Sequence, residues 1–197
     1  KEQVDKLWHL SNVYQIPQQD KLAQRLCELC FADYVFFCNS GTEAIEASIK
    51  IARRYFFNTQ KSKTKNEIIT FSGSFHGRTI GSLAAGGKSK LETFNTEVSG
   101  FKLLPFGDHE ELKKAINSNT AAIIIEPIQG EGGIRVVPDH CLKSLRQICD
   151  ENDILLIFDE VQCGVGRTGK LFAYQWVDVE PDIMTIAIAI GYGFPLG

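Results

Sequence analysis

Two carboxylates stand where an apolar run of chain ends. Ile154–Phe158 (ILLIF) leads directly into Asp159 and Glu160, then into the Gly-rich turn VQCGVGRTGK that closes at Lys170. Five apolar residues suit a strand buried on both faces of a parallel sheet. Open α/β sheets place their ligands at the carboxyl ends of such strands. A carboxylate buried there protonates unless it has a partner. Three partners fit the chemistry: a metal ion, an arginine, or the protonated ring nitrogen of a cofactor. A plain helix-capping acid ahead of a loop is the structural alternative.

A second stretch is suited to anions. Asn39-Ser40-Gly41-Thr42-Glu43-Ala44 follows a short β-rich run, Tyr34–Cys38, and precedes the helical pattern IEASIKIARRYFF. Strand, small-residue turn and helix in that order aim backbone N–H groups and the helix dipole at one point. Neither GxxxxGK[ST] nor GxGxxG occurs, so a small phosphorylated cofactor fits better than a nucleotide. An ordinary Ser/Thr cap would use the same residues. A third stretch, Ser72–Thr79 (SGSFHGRT), sets glycines around an aromatic, a histidine and an arginine. Phe75 can stack on a planar ring, Arg78 can clamp a carboxylate through two parallel hydrogen bonds, and His76 is either a ligand contact or a packed, hydrogen-bonded side chain.

The elements that must position these residues alternate along the chain. Periodicity predicts helices over 20–31, from 41 onward, over 109–116 and over 141–149. It predicts strands over 34–38, 67–71, 101–106, 121–125 and 154–158. Residues 57–66 read as a solvated Lys-rich loop and 84–100 as loop-rich. Glu126 and Glu131 flank a Gly-rich segment after the strand at 121–125, and the apolar run IMTIAIAI precedes GYGFPLG at the end. The fold class expected is α/β, a mostly parallel sheet flanked by helices, with strands ending near Cys38, Phe71, Ile125 and Phe158 around one pocket.

Composition narrows the class. The chain has 197 residues, 44% hydrophobic and 23% charged, which suits one globular domain. A net charge of −3 gives no general attraction to nucleic acid or anionic membrane. No apolar run approaches the ~20 residues of a membrane span, and a cytoplasmic location is expected. Six cysteines are scattered, and the Cys27/Cys30 pair lies inside a helical pattern with no second pair at zinc spacing. They read as small packing residues of a reduced protein, and no metal is expected.

Taken together, NSGTEAIEASIKIAR, FHGRT, IIIEPIQGEGG, FDEVQCGVGRTGK and PDIMTIA…GFPLG resemble the class III aminotransferases, which use pyridoxal phosphate on a fold-type I scaffold. Ser11–Tyr14, FHGRT and GFKLLPFGD look most like the acetylornithine-type branch, which serves arginine biosynthesis. The resemblance implies that residues 1–197 are a partial large, cofactor-binding domain without the C-terminal small domain, and that the full-length form is a homodimer. It implies that Gly41 and Thr42, with Ser40 beside them, hold the cofactor phosphate. Phe75 would stack on the pyridine ring with His76 beside it. Asp159 would pair with the ring nitrogen, and Val161 and Gln162 would line the ring, Gln162 bonding its phenolic oxygen. Arg78 would bind a substrate carboxylate, and Glu126 and Glu131 would shape the site floor and gate a second arginine. The implied reaction moves an amino group from N-acetylornithine, or a related ω-amino substrate, to 2-oxoglutarate. Ornithine, 4-aminobutyrate and succinyldiaminopimelate are sibling donors.

One position departs from the family pattern. The Schiff-base lysine belongs at residue 188, which is isoleucine, and the following glycine triplet reads Gly191-Tyr192-Gly193. Isoleucine has no nitrogen to form an imine. Lys170 is the nearest alternative, and the family gives it no such role. The chain is therefore expected to be inactive as written, and a non-catalytic remnant that binds cofactor or dimerises is the competing reading.

Overall fold

A computed structural model describes every residue except Lys1, Asn12 and Lys88. Asn12 of the Ser11–Tyr14 stretch therefore lies outside the described residues. The chain divides into two compact units, residues 1–36 and 37–197. The first holds helix α1, Pro17–Leu29. It begins earlier than the periodicity suggests because Pro17 supplies a ready-made first turn, with no N–H to leave unpaired. It ends at Cys30, whose backbone is extended.

The second unit is built on a five-stranded sheet. Its strands are β1 (Glu67–Phe71), β2 (Phe101–Leu104), β3 (Thr120–Ile125), β6 (Leu155–Asp159) and β7 (Ile183–Thr185), in the order β2-β1-β3-β6-β7. Every neighbouring pair is parallel. A two-stranded antiparallel ribbon, β4 (Ile128–Gln129) with β5 (Arg135–Val136), follows β3. The chain runs outward from β1 to β2 and then returns to the other side of β1 as β3, so the sheet reverses direction between β1 and β3. Ligand crevices in open parallel sheets form at such a reversal.

Helix α2 (Gly41–Gln60) covers one face. Ile45, Ile49, Ala52 and Phe56 recur at helical spacing and pack on Ile68 of β1, Ala122 and Ile124 of β3 and Ile157 of β6. Burying each large side chain of this set contributes about 1.5–3 kcal/mol. Helices α5 (His109–Ala115) and α6 (Asp139–Asn152) bury Leu112, Leu142 and Leu145. Leu112 and Leu145 meet Phe71 and Ile125 around a small apolar cavity of about 40 Å³. With both faces covered, β3 is buried at every residue, which is why its sequence is an unbroken apolar run rather than an alternating one.

Four sequence expectations need correction. Residues 57–60 of the expected Lys-rich loop belong to helix α2, which runs to Gln60. Tyr34–Cys38 is not a ladder strand. Only Cys38 pairs, its N–H donating to Gly197 O at 2.8 Å and its carbonyl accepting from Gly197 N at 3.0 Å. The loop-rich span 84–100 carries the end of helix α3 (Ile80–Ala85) and a single turn, α4 (Ser89–Glu92). The run IMTIAIAI is strand only as far as Thr185, and Ile188–Gly191 coil into a 3₁₀ turn.

Candidate active site

The start of α2 follows directly from its sequence. Ser40 is extended and caps the helix, its Oγ accepting from Glu43 N at 3.3 Å. Glu43 reaches back, its Oε2 accepting from Asn39 N at 2.6 Å and Asn39 Nδ2 at 3.0 Å. These two contacts fix the turn and leave the N–H groups of the first residues facing the helix mouth. A Cβ on Gly41 would lie 2.5 Å from Val161 Cγ1 and 3.4 Å from Ala187 Cβ. The anion turn, the chain after β6 and the chain after β7 therefore meet at Gly41.

The loop after β1 joins the same place. Gly77 has φ of +122°, and a Cβ there would fall 2.1 Å from Thr42 Oγ1. Glycine is thus required twice over, for backbone conformation and for room. Thr42 Oγ1 lies 3.0 Å from Ser82 Oγ, which ties α2 to α3.

Asp159 and Glu160 part company, as adjacent residues at the end of a strand do. Asp159 is buried in the crevice. Its Oδ2 lies 2.7 Å from His76 Nδ1, and its Oδ1 accepts from Val161 N at 3.1 Å and from Thr185 Oγ1 at 3.3 Å. Glu160 turns away and accepts from Ala173 N at 2.6 Å and Tyr174 N at 2.8 Å, holding the 3₁₀ turn Ala173–Trp176. Burial raises the Glu160 carboxyl above its ordinary range against those two donors. Of the two acids singled out by sequence, one is in the crevice and the other is scaffold.

Glu126 sits at the end of β3, buried, with Oε2 accepting from Phe75 N at 3.1 Å. Burial first, and the Asp159 carboxylate second, push its carboxyl up to about 7 against the opposing pull of His76, the Phe75 N–H and Lys90. The His76 side chain is fully buried, and its Nε2 has no hydrogen-bond partner among the described residues. Phe75, by contrast, is 42% exposed, so its ring is free to face a ligand. Gln162 lies over Gly130, where a Cβ would meet its Oε1 at 1.4 Å. Arg78 and Glu131 are exposed, and no hydrogen bond or ion pair joins either to another described residue.

Residue 188 lies directly after Ala187, beside the anion turn. Ile188 is 64% exposed with φ of +57°, and Tyr192 is 98% exposed with φ of +52°. Lys170 is engaged elsewhere: its Nζ donates to Gln175 O at 2.7 Å and lies 4.7 Å from the centre of the Trp176 ring. Sequence reasoning missed Thr185 and Lys90. Thr185 is the only hydroxyl in IMTIAIAI, a usable signal in an otherwise apolar run. Lys90, which donates to Ser74 O at 2.8 Å, carried none.

Among the described residues, no cluster of three or more His, Cys, Asp or Glu side chains could hold a metal ion. Among them, too, no helix is long and apolar enough to cross a membrane. Asp159, oriented by His76, Val161 N and Thr185, is suited to accept from a hydrogen-bonding cation, and the start of α2 lies close by. A protonated, phosphorylated heterocycle presents both charges.

Known proteins are similar to this chain in sequence and fold. The class-III aminotransferase family matches residues 1–197. The chain is 58% identical to the acetylornithine aminotransferase of Brucella melitensis over 198 residues, covering 100% of this chain and 49% of that one. The N-acetylornithine aminotransferase structure from Stenotrophomonas maltophilia superposes with a TM-score of 0.84 at 41% identity, over 100% of this chain and 49% of that one. The ornithine aminotransferase of Toxoplasma gondii, with partial occupancy of PLP at its active site, superposes with a TM-score of 0.93 at 30% identity, covering 99% and 47%. The chain spans about half the length of the curated relatives it matches. The parallel sheet agrees with these matches, and the chain is a member of the class-III aminotransferases, the pyridoxal-phosphate-dependent family of fold type I.

Proposed function

We propose that residues 1–197 form the cofactor-binding part of an acetylornithine-type aminotransferase, and that the chain as written binds pyridoxal phosphate without turning over. The observation that carries the reading is the meeting of Gly41, Val161 and Ala187 beside a buried Asp159. Gly41 packs on Val161, whose N–H bonds Asp159, and this supports a phosphate and a ring N–H held in one crevice. The residues fit the cofactor at both ends. The N–H groups of Gly41 and Thr42 would take the phosphate, with Ser40 beside them. Asp159, already oriented by three donors, would take the ring N–H. Phe75 would cover the ring, with Val161 and Gln162 lining it. Bound there, the cofactor supplies the electron sink for amino-group chemistry.

The chain's own groups would do the rest. Arg78 would receive a substrate carboxylate through its guanidinium fork. Glu126 would close the floor next to Phe75, and Glu131 would gate access. The substrates proposed are N-acetylornithine, or a related ω-amino acid, and 2-oxoglutarate, in arginine biosynthesis, and the full-length protein would be a cytoplasmic homodimer. The names of the relatives and the branch-like motifs support that choice over ornithine, 4-aminobutyrate or succinyldiaminopimelate.

Residue 188 does not fit. Isoleucine offers no amine to bond the cofactor or to move a proton, and a positioned general base alone contributes about 10²–10⁴-fold. This favours a second reading for the chain itself, a cofactor-binding or dimerising remnant without catalysis. Absorbance titration of pyridoxal phosphate into the wild type and Asp159→Ala tests the shared part of both readings. Removing one partner of a buried pair costs about 3–5 kcal/mol, so affinity should fall by at least about a hundredfold. Equal affinities would sink the ring assignment.

A further inference from the structure

The crevice holds two buried carboxylates, Asp159 and Glu126, in one low-dielectric space. Like charges so placed do not both ionise readily, and their surroundings decide which keeps the proton. Those surroundings are unequal. Asp159 receives three donors: His76 Nδ1 at 2.7 Å, Val161 N at 3.1 Å and Thr185 Oγ1 at 3.3 Å. Glu126 receives one, Phe75 N at 3.1 Å. The shortest contact is with His76, whose side chain is completely buried. An ionised carboxylate only accepts, so Nδ1 carries the hydrogen in that contact. The other charged or titratable groups nearby are Lys90, which influences Glu126, and Glu160 and Cys163, which neighbour Asp159.

We propose that His76 is a positioning residue that keeps Asp159, and not Glu126, as the ionised carboxylate of the crevice, and so confines recognition of a ring N–H to Asp159. The inference rests on the cofactor reading above. His76 meets Asp159 at Oδ2 and would act through the carboxylate it orients. Without Nδ1–H, Asp159 loses its shortest donor. Val161 N and Thr185 remain, both on Oδ1, so Oδ2 is left without a partner in a buried site. Glu126 supports the argument from its own side, because its carboxyl is already pushed up to about 7 by burial and by Asp159.

The experiment is a double-mutant cycle between protein and ligand. The ligands are pyridoxamine phosphate and its 1-deaza analogue, in which C–H replaces the ring nitrogen. Neither carries an aldehyde, so stray lysines do not react. Affinities are measured by fluorescence titration for the wild type, His76→Leu and His76→Gln, with folding checked by circular dichroism. A hydrogen bond to a charged group should make the wild type prefer the nitrogen-bearing ligand by about tenfold or more. His76→Leu should bring that ratio near one while leaving affinity for the deaza analogue unchanged. His76→Gln, which keeps an N–H donor, should retain a preference of several-fold. A purely structural role would lower both affinities together. Should His76→Leu not fold, His76→Met, an apolar chain of a different shape, takes its place, and the His76→Gln ratio still reads the donor. An unchanged ratio in the apolar variants overturns the role of His76 and leaves the cofactor site standing. A wild type that does not distinguish the two ligands overturns both.

Discussion

The Cβ that Gly41 lacks would lie 2.5 Å from Cγ1 of Val161. One missing methyl therefore lets the first turn of α2 seat against the chain that leaves β6, and brings the anion turn up to Asp159. Val161 N is itself bonded to Asp159 Oδ1, so pushing Val161 aside pulls on the carboxylate. Gly41→Ala is expected to destabilise by about 1–3 kcal/mol, the usual cost of overpacking a tight contact. It should weaken inorganic phosphate binding as well. Gly41→Ala with Val161→Ala should recover most of the stability. Urea midpoints of the three variants check this. If Gly41→Ala matches the wild type, the contact does not constrain the turn.

Glu126 makes a prediction about pH. Its carboxyl is raised from an ordinary 4.5 to about 7 in the folded state. The folded protein therefore holds this proton where the unfolded chain has released it. Stability from this group is greatest below about pH 4.5, falls as the pH rises, and levels off above about pH 7. The full loss is about 3 kcal/mol, because each pH unit separating the folded and unfolded values is worth about 1.4 kcal/mol. Glu126→Gln removes the ionisation and keeps the shape. The stability difference between Glu126→Gln and wild type should therefore grow with pH across that window. Denaturant titrations at pH 5, 6 and 7 measure it, and a difference that does not change with pH would contradict the assignment.

Several features of this fold are visible in the sequence for physical reasons, and others are not. An all-apolar strand such as Ile123–Ile125 shows its double burial directly. The caps of α2 are equally plain, because Ser40 and Glu43 act on backbone within a few residues of themselves. Which of Asp159 and Glu160 faces the crevice is not visible. Alternation says that they diverge, but only the sheet's orientation says which way each goes. Tyr34–Cys38 looks like a strand by composition, yet its sole pairing partner among the described residues, Gly197, lies at the far end of the chain. The contact of His76 with Asp159 is likewise long-range. The local pattern around His76 shows a glycine-flanked loop and nothing of the acid that meets it.

Ile188 and Tyr192 both occupy the left-handed region, at φ of +57° and +52°. For L-residues that conformation costs roughly 1–2 kcal/mol, and a β-branched side chain is the least suited to it. Tyr192→Gly should therefore stabilise the chain by about 1 kcal/mol, less the entropy that glycine adds to the unfolded state. The Tyr192 side chain is almost wholly exposed, so little packing is lost to offset the gain. A thermal midpoint that rises by a few degrees is the expected result. A fall would mean that the tyrosine makes contacts that outweigh its strain.

The last prediction concerns residue 188 itself. Ile188 follows Ala187, which packs beside Gly41, so the position lies next to the anion turn. Its side chain is 64% exposed, so a longer polar chain can be accepted there without breaking the core. Ile188→Lys should leave stability within about 0.5 kcal/mol of wild type, as surface changes usually do. With pyridoxal phosphate and borohydride, that variant should gain one covalent adduct, located by mass spectrometry on the introduced lysine, while the wild-type chain gains none at a defined site. Lys170 is the sharpest control. Its ammonium is held by Gln175 O and the Trp176 ring, and leaving that place forfeits both contacts. An adduct on Lys170 of the unmutated chain would overturn the view that this chain has no covalent link to its cofactor. Turnover is a harder demand than labelling. It needs a lysine placed within hydrogen-bonding reach of the atom it deprotonates. The strained backbone at Tyr192 lies one turn further on, capping the same 3₁₀ segment. Ile188→Lys combined with Tyr192→Gly, in a full-length chain, is therefore expected to outperform Ile188→Lys alone in amino transfer from N-acetylornithine, and equal rates would show that residue 192 does not limit the site.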